Sequence, residues 1–176
     1  MEYDQLIRQR RSIRSYEKSE ISHETLVRIL TEASQAPSWK NSQTARCYVL
    51  ENEELLEAVR EGALPSFNRK NSANAILIVT TFVKNISGFS NDGPANEAGN
   101  EWGAYDLGLH DAYLVLAASN AGLDTLIMGI RDSAVLRGKL SIPENEEIMS
   151  VIALGRRTKD APQHPSRPLE ETVRFF

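Results

Sequence analysis

The stretch Arg8-Gln9-Arg10-Arg11-Ser12-Ile13-Arg14 places four arginines within seven residues of a 176-residue chain whose formal charge is −4. A basic knot in an acidic chain points to a local anion site rather than to a generally basic surface. Guanidinium groups are planar forks that hold phosphate oxygens through paired, charge-assisted hydrogen bonds. On its own the knot has three readings: a solvated charge run, a nucleic-acid contact, or the seat of a phosphate-bearing cofactor. Nucleic-acid binding calls for a basic face extending well beyond seven residues. No helix-turn-helix or zinc-finger spacing accompanies this one.

Around the knot the composition is that of an ordinary soluble protein, 41% hydrophobic and 25% charged. The length suits one domain spanning residues 1–176, large enough to bury a core without staples. The single cysteine, Cys47, excludes an internal disulfide framework and any CxxC motif. No apolar run reaches the roughly 18 residues of a membrane span. The first residues, Met1-Glu2-Tyr3-Asp4-Gln5, lack the apolar segment of a signal peptide. The expectation is a cytoplasmic protein with no membrane and no nucleic-acid partner.

The apolar pattern alternates between helical and strand periods. Glu2 to Gln9 reads as a short helix ending at the knot. Ser22 caps a second, whose stripe is Leu26, Ile29, Leu30 and Ala33. Cys47–Glu51 reads as a strand, Glu53–Gly62 as a helix and Ala75–Val83 as a buried strand. Residues 85–103 hold four of the ten glycines and read as a long loop, with a lid slightly favoured. Glu101–Asn120 is the longest helical pattern, and Ala112–Ala118 is apolar on nearly every side, so it must be covered all round. A subunit interface is one way to supply the cover. Gly122 is the C-cap signal. Thr125–Met128 is a short strand, Asp132–Lys139 a helix and Ile148–Leu154 a strand. From Arg156 to Pro168 three prolines force an extended arm, followed by Val173, Phe175 and Phe176 in need of a docking place.

The usual nucleotide fingerprints are missing. No GxGxxG follows a strand. Gly138-Lys139 is followed by Leu140 rather than Ser or Thr, and Ser133 stands where the first P-loop glycine belongs. Asp106 and His110 lie one helical turn apart, yet no third metal ligand is evident, so a structural pair is the reading. Ser34, Ser38 and Ser42 sit in no nucleophile elbow. Any phosphate must be held by side chains.

Taken in order, these segments resemble the nitroreductase family of flavoproteins. Arg10-Arg11-Ser12-Ile13-Arg14 and Ala36-Pro37-Ser38 with Asn41 and Gln43 are similar to its opening motifs. Trp102…Asp106, Leu116-Ala117-Ala118 and Gly122-Leu123 resemble its central helix, Met128-Gly129-Ile130 the segment beside the flavin ring. Leu154-Gly155 followed by Pro165-Ser166-Arg167-Pro168-Leu169-Glu170-Glu171 resembles its closing signature. The resemblance covers essentially the whole chain. It implies an α+β fold with a mixed central sheet flanked by helices and an extended C-terminal arm, and FMN bound at a homodimer interface.

Carried over residue by residue, the resemblance implies Arg10 and Arg167 on the phosphate. It puts Arg11 and Ser12 by the phosphate and ribityl chain, and Arg14 at the pyrimidine edge. Met128, Gly129 and Ile130 would lie beside the ring, with Asn68 as an amide contact, and Pro37, Ser38, Trp39 and Asn41 would come from the partner subunit. No side chain need act as nucleophile. The implied activity is electron transfer from NAD(P)H to nitroaromatic or quinone-type acceptors by a ping-pong flavin mechanism. The alternative is a low-turnover FMN carrier or redox sensor of the same fold. Two departures stand out: the short, glycine-rich 85–103 segment leaves substrate preference open, and Arg156-Arg157 replaces an aromatic-containing turn, so either arginine could join the phosphate site or face solvent.

Overall fold

The computed structural model describes residues 2–176, and the backbone follows the apolar periods. In chain order the elements are α1 (Tyr3–Gln9), α2 (His23–Ala33), β1 (Ala45–Leu50), α3 (Glu53–Ala63), α4 (Ser66–Asn71) and β2 (Ile76–Val83). A small hairpin comes next, β3 (Phe89–Ser90) and β4 (Gly93–Pro94), then α5 (Glu101–Asn120), β5 (Asp124–Met128), α6 (Ser133–Leu140), β6 (Glu146–Gly155) and α7 (Leu169–Thr172). Helix starts are chemically marked. Ser22, Asn52 and Asp132 each accept a hydrogen bond from the backbone N–H three residues on, satisfying a donor that the helix cannot. Helix α5 ends in a Schellman motif: Leu123 N–H donates to Ala118 O at 2.9 Å and Gly122 N–H to Ser119 O at 3.1 Å, with Gly122 at φ 75°.

Four strands form one sheet in the order β1-β2-β6-β5, every neighbour antiparallel. The parallel component of the expected mixed sheet is confined to one isolated bridge, Ser12 to Thr125, among the described residues. Strand β2 is central and buried along its length, and its alternate residues serve two cores. Leu77 and Val79 pack with Val59, Leu136 and Ile13 on the α3–α6 side. Ile78 packs with Leu26, Ile29, Leu114 and Ala118 on the α2–α5 side. The fold is thus α+β, helices covering both faces of an antiparallel sheet. At Gly103 a Cβ would lie 2.3 Å from the Phe82 ring, so a glycine there lets α5 seat on β2.

Strand β6 is interrupted once. Thr80 pairs with Ser150 but Thr81 pairs with Ile148, so Met149 is the extra residue of a β-bulge. The 85–103 segment is held by its own side chains: Asn85 and Asn100 exchange hydrogen bonds of 2.7 and 2.9 Å, and Trp102 Nε1 donates to Asn96 Oδ1 at 2.9 Å. These bonds tie the loop to the start of α5. No helix among the described residues is long and apolar enough to cross a membrane.

Candidate flavin site

The knot begins where α1 stops. Arg10 is the C-cap, its N–H donating to Leu6 O, and the chain beyond it runs extended beside edge strand β5. Ile13 N–H donates to Thr125 O at 3.0 Å. Extended backbone alternates its side chains, so Ile13 turns into the core, 1% exposed, while Ser12 and Arg14 face out. The C-terminal segment then crosses the same strip. Tyr16 bridges to Arg157, Ser15 Oγ lies 2.6 Å from Thr158 Oγ1, and Arg11 donates to Gln163 Oε1 at 3.0 Å.

Two adjoining cavities result, with Arg10 and Ser12 in the walls of both. One, of about 360 Å³, lies between the knot and the arm and is lined by Arg10, Arg11, Arg14, Gln163, His164 and Ser166 among others. The other is a cleft of about 550 Å³ between α5 and the β5–β6 edge, mostly apolar, walled by Ala104, Gly108, Ala112, Thr125, Ile127, Gly129 and the bulged Met149. It has the size and lining expected of a cofactor site.

Electrostatics distinguish the first cavity. Arg10, Arg11 and Arg14 have no carboxylate partner among the described residues, and the Arg10 guanidinium makes no hydrogen bond within the protein. Arg157 differs: it is locked on Asp124 through Nε and Nη2 and reaches Asp160 as well. Its guanidinium is held even more firmly protonated by that hydrogen bonding. Arg157 therefore belongs to the scaffold, and Arg156 leans on Gly122 O.

Glycine marks the second cavity. Gly108 and Gly129 both line the cleft, neither has a positive φ, and a Cβ built on either meets no atom within 4 Å. Gly108 costs helix α5 about 1 kcal/mol relative to alanine and gains nothing from the surrounding protein. Packing within the chain explains neither glycine, whereas a flat group lying against both backbones would. We expect Gly129→Val to leave the melting temperature of apo-protein within about 2 °C. It should weaken flavin retention on the order of tenfold, the effect of an overpacked contact worth about 1–3 kcal/mol. Differential scanning fluorimetry and flavin fluorescence titration read the two effects separately.

The remaining expected residues fall in three places. Met128 is buried in the core and Ile130 is exposed, so of that triplet Gly129 forms the cleft wall. Asn68, on α4, braces the triplet from behind: its Nδ2 donates to Ile130 O at 3.0 Å. Arg167 is largely exposed and pairs with Glu171 at 3.7 Å; the arm meets the knot through residues 161–166 instead. Pro37 and Ser38 line a separate cavity of about 180 Å³ beside Asp106 and His110, so one chain does not bring them to the cleft.

That loop is nonetheless held firmly. Buried Asp106 accepts from Trp39 N–H at 2.9 Å and Ser87 Oγ at 2.6 Å, and Ser38 Oγ accepts from Gln43 N–H at 3.0 Å. Lys40, Asn41 and Gln43 all sit at positive φ near 50°, a conformation costly for non-glycine residues that persists only where surroundings dictate it. Trp39 packs on Trp102 with centroids 4.8 Å apart. Asp106 and His110 thus bond to different groups rather than to each other, and no group of three or more His, Cys, Asp or Glu among the described residues is placed to hold a metal. Sequence reading missed Gly108, Thr125, Met149, Ser150 and Asp111 as cleft walls. Gly108, a helix-breaking residue inside the longest helical pattern, was the one visible signal.

The sequence profile of the nitroreductase family matches residues 7–156. A provisionally named NADH dehydrogenase/NAD(P)H nitroreductase of Archaeoglobus fulgidus is 29% identical over 154 residues, covering 85% of this chain and 82% of its own. Among solved structures, a nitroreductase of Exiguobacterium sibiricum, so named provisionally and crystallised in complex with FMN, superposes with a TM-score of 0.86 at 20% identity, covering 100% of this chain and 98% of the other. A nitroreductase family protein of Streptococcus pneumoniae gives 0.84 at 20% identity, covering 99% and 100%. With the profile spanning both the arginine knot and the Met128–Ile130 segment, the chain belongs to the nitroreductase family.

Proposed function

We propose that this protein is an FMN-dependent oxidoreductase, working as a homodimer, that takes electrons from NAD(P)H and passes them to nitroaromatic or quinone-type acceptors. The observation that carries the reading is the carboxylate-free arginine cavity opening onto an apolar cleft whose two glycines leave room for a flat ring. The family membership and the names of the Archaeoglobus and Exiguobacterium relatives support it.

The residues fit FMN end to end. Arg10 offers an unpaired guanidinium to the phosphate, and Ser12 lies between phosphate and ring. Arg11 keeps one arm on Gln163 and closes the cavity. Arg14, anchored on Ser12 O, lines the arginine cavity rather than the cleft, so it would supply positive charge toward the pyrimidine edge, where a reduced ring gathers electrons, only from that side. Gly129 presents backbone to the ring, braced by Asn68 through Ile130. Arg167 and the rigid Pro37-Ser38-Trp39-Asn41 loop complete the enclosure in the dimer, the loop coming from the partner and excluding water. Bound FMN itself supplies the redox chemistry, accepting a hydride and returning it.

Anaerobic stopped-flow mixing of the purified yellow protein with NADPH or NADH tests the reading. Bleaching of the flavin band within seconds, reversed by a quinone, is the expected result. A band that persists for minutes would reassign the protein as a carrier or sensor.

A further inference from the structure

Asp111 is a buried carboxylate to which the flavin site gives no task. It is 7% exposed and forms part of the cleft wall. No arginine or lysine pairs with it among the described residues. Its partners are the His110 ring, Nδ1 to Oδ1 at 3.2 Å, and the Thr80 hydroxyl, which donates to Oδ2 at 3.0 Å. Thr80 Oγ1 lies 2.9 Å from Ser150 Oγ, and Ser150 also lines the cleft. Since the one Thr80 proton goes to Asp111, Ser150 donates to Thr80. In the other direction the His110 ring lines the small cavity beside Ser38. A hydrogen-bonded line therefore runs from that cavity, through the α5–sheet contact, into the cleft.

Burying an ionised carboxylate costs several kcal/mol unless a charge or a set of hydrogen bonds compensates it. A hydrophobic residue facing Thr80 would have avoided that cost. The geometry points to a proton line: His110 takes protons from the small cavity, and Asp111, itself in the cleft wall and held in place by the donating Thr80–Ser150 hydroxyls, delivers them to the acceptor in the cleft. The inference rests on the proposed function and assigns a source for a proton that the reaction requires. Reduction of a quinone to its hydroquinone consumes one hydride, from the reduced flavin, and one proton. The His110–Asp111 pair gives up that proton, is left as neutral imidazole and carboxylate, and regains it from water. The same sum holds for a nitro group, which takes a hydride and a proton to become a nitroso group and water. Proton delivery by a positioned side chain is worth about 10²–10⁴ in rate.

The charged and titratable groups facing the pair are few. Asp106, one turn earlier on α5, and Arg46 on β1 share the small cavity with His110. Arg10 stands in the cleft wall. Cys47 on β1 has its thiol pushed up to about 12, by burial first and by the Asp111 charge second, so it stays neutral and does not compete as an acid. The segment that closes the small cavity adds Ser34, Ser38, Gln43 and Thr44, polar side chains that carry no charge.

The test compares two acceptors in the FMN-loaded full-length protein. Ferricyanide removes electrons without binding a proton, whereas a quinone needs one. In Asp111→Asn and in His110→Gln, the ratio of quinone to ferricyanide reoxidation rates should fall at least tenfold, and the pH profile of the quinone rate should differ from that of the wild type. Ring ¹⁵N spectra of the three histidines give a readout independent of turnover: His110 should carry a hydrogen-bonded proton on Nδ1 that is lost in Asp111→Ala. An unchanged ratio and pH profile in both variants, or a wild-type His110 with Nδ1 bare, overturns the proton line and leaves the proposed function standing. Failure of NAD(P)H to bleach the wild-type flavin overturns both.

Discussion

Arg10→Ala is expected to purify colourless. The guanidinium has no hydrogen-bond or ion-pair partner among the described residues and lines both cavities, so removing it leaves the scaffold bonds intact and takes away the cation shared by the arginine-lined cavity and the cleft. Charge-assisted hydrogen bonds are worth about 1.5–3 kcal/mol, which for a forked contact corresponds to roughly a 10- to 100-fold weaker dissociation constant for FMN. Arg10→Lys keeps the charge but not the fork, so it should retain part of the flavin. The ratio of flavin absorbance to protein absorbance after gel filtration measures all three proteins. A fully yellow Arg10→Ala protein would remove the knot from the site. A colourless Arg10→Lys beside it would show that geometry matters more than charge.

Ending the chain after Pro162 should cost the protein its dimer and its flavin together. The lost segment includes Gln163, which holds Arg11, along with His164 and Ser166 of the phosphate cavity and Arg167 itself. It also removes Leu169, Val173, Phe175 and Phe176. The two phenylalanines are 87% and 117% exposed in the single chain, with nothing over them. Each such side chain is worth about 1.5–3 kcal/mol when covered, and a partner subunit is the cover we propose. Light scattering at micromolar concentration should show a monomer for the truncated chain and a dimer for the full chain. A truncated protein that remains both dimeric and yellow would mean that the arm contributes to neither.

Legibility in the amino-acid order scales with the length of each pattern. Helix α5 and strand β2 are long, strongly apolar and cleanly bounded, so their extents could be read almost to the residue. Helix α4 spans six residues behind Pro65 and carries too little periodicity to announce itself, which left Asn68 assigned only by loose resemblance. The knot was legible because clustered charge is visible in one dimension. The cleft was not, because its walls come from residues scattered over α5, β5 and a bulge that depends on how Thr80 and Thr81 pair across the sheet. How the 85–103 segment is tied down was hidden for a similar reason. Turn-forming residues indicate irregular backbone but not where it packs, and here Asn85, Asn96 and Asn100 spend their amides holding the segment to itself and to Trp102. The expected Asp106–His110 pair does not form: Asp106 accepts from Trp39 N–H and Ser87 Oγ, and His110 Nδ1 lies 3.2 Å from Asp111 Oδ1, partners that spacing along the helix could not reveal.

The stitching of the knot to the arm carries a consequence for biogenesis. Arg11 waits for Gln163, 152 positions later, and Ser15 for Thr158, 143 positions later. Contacts so distant along the polymer form slowly, and on a ribosome they cannot form until the late residues have emerged. Helices α1 to α4 can condense on a nascent chain, but the anion cradle cannot. Cofactor capture is thereby deferred until Thr158 and Gln163 have emerged, and a nascent polypeptide stopped short of them would compete poorly for the mononucleotide.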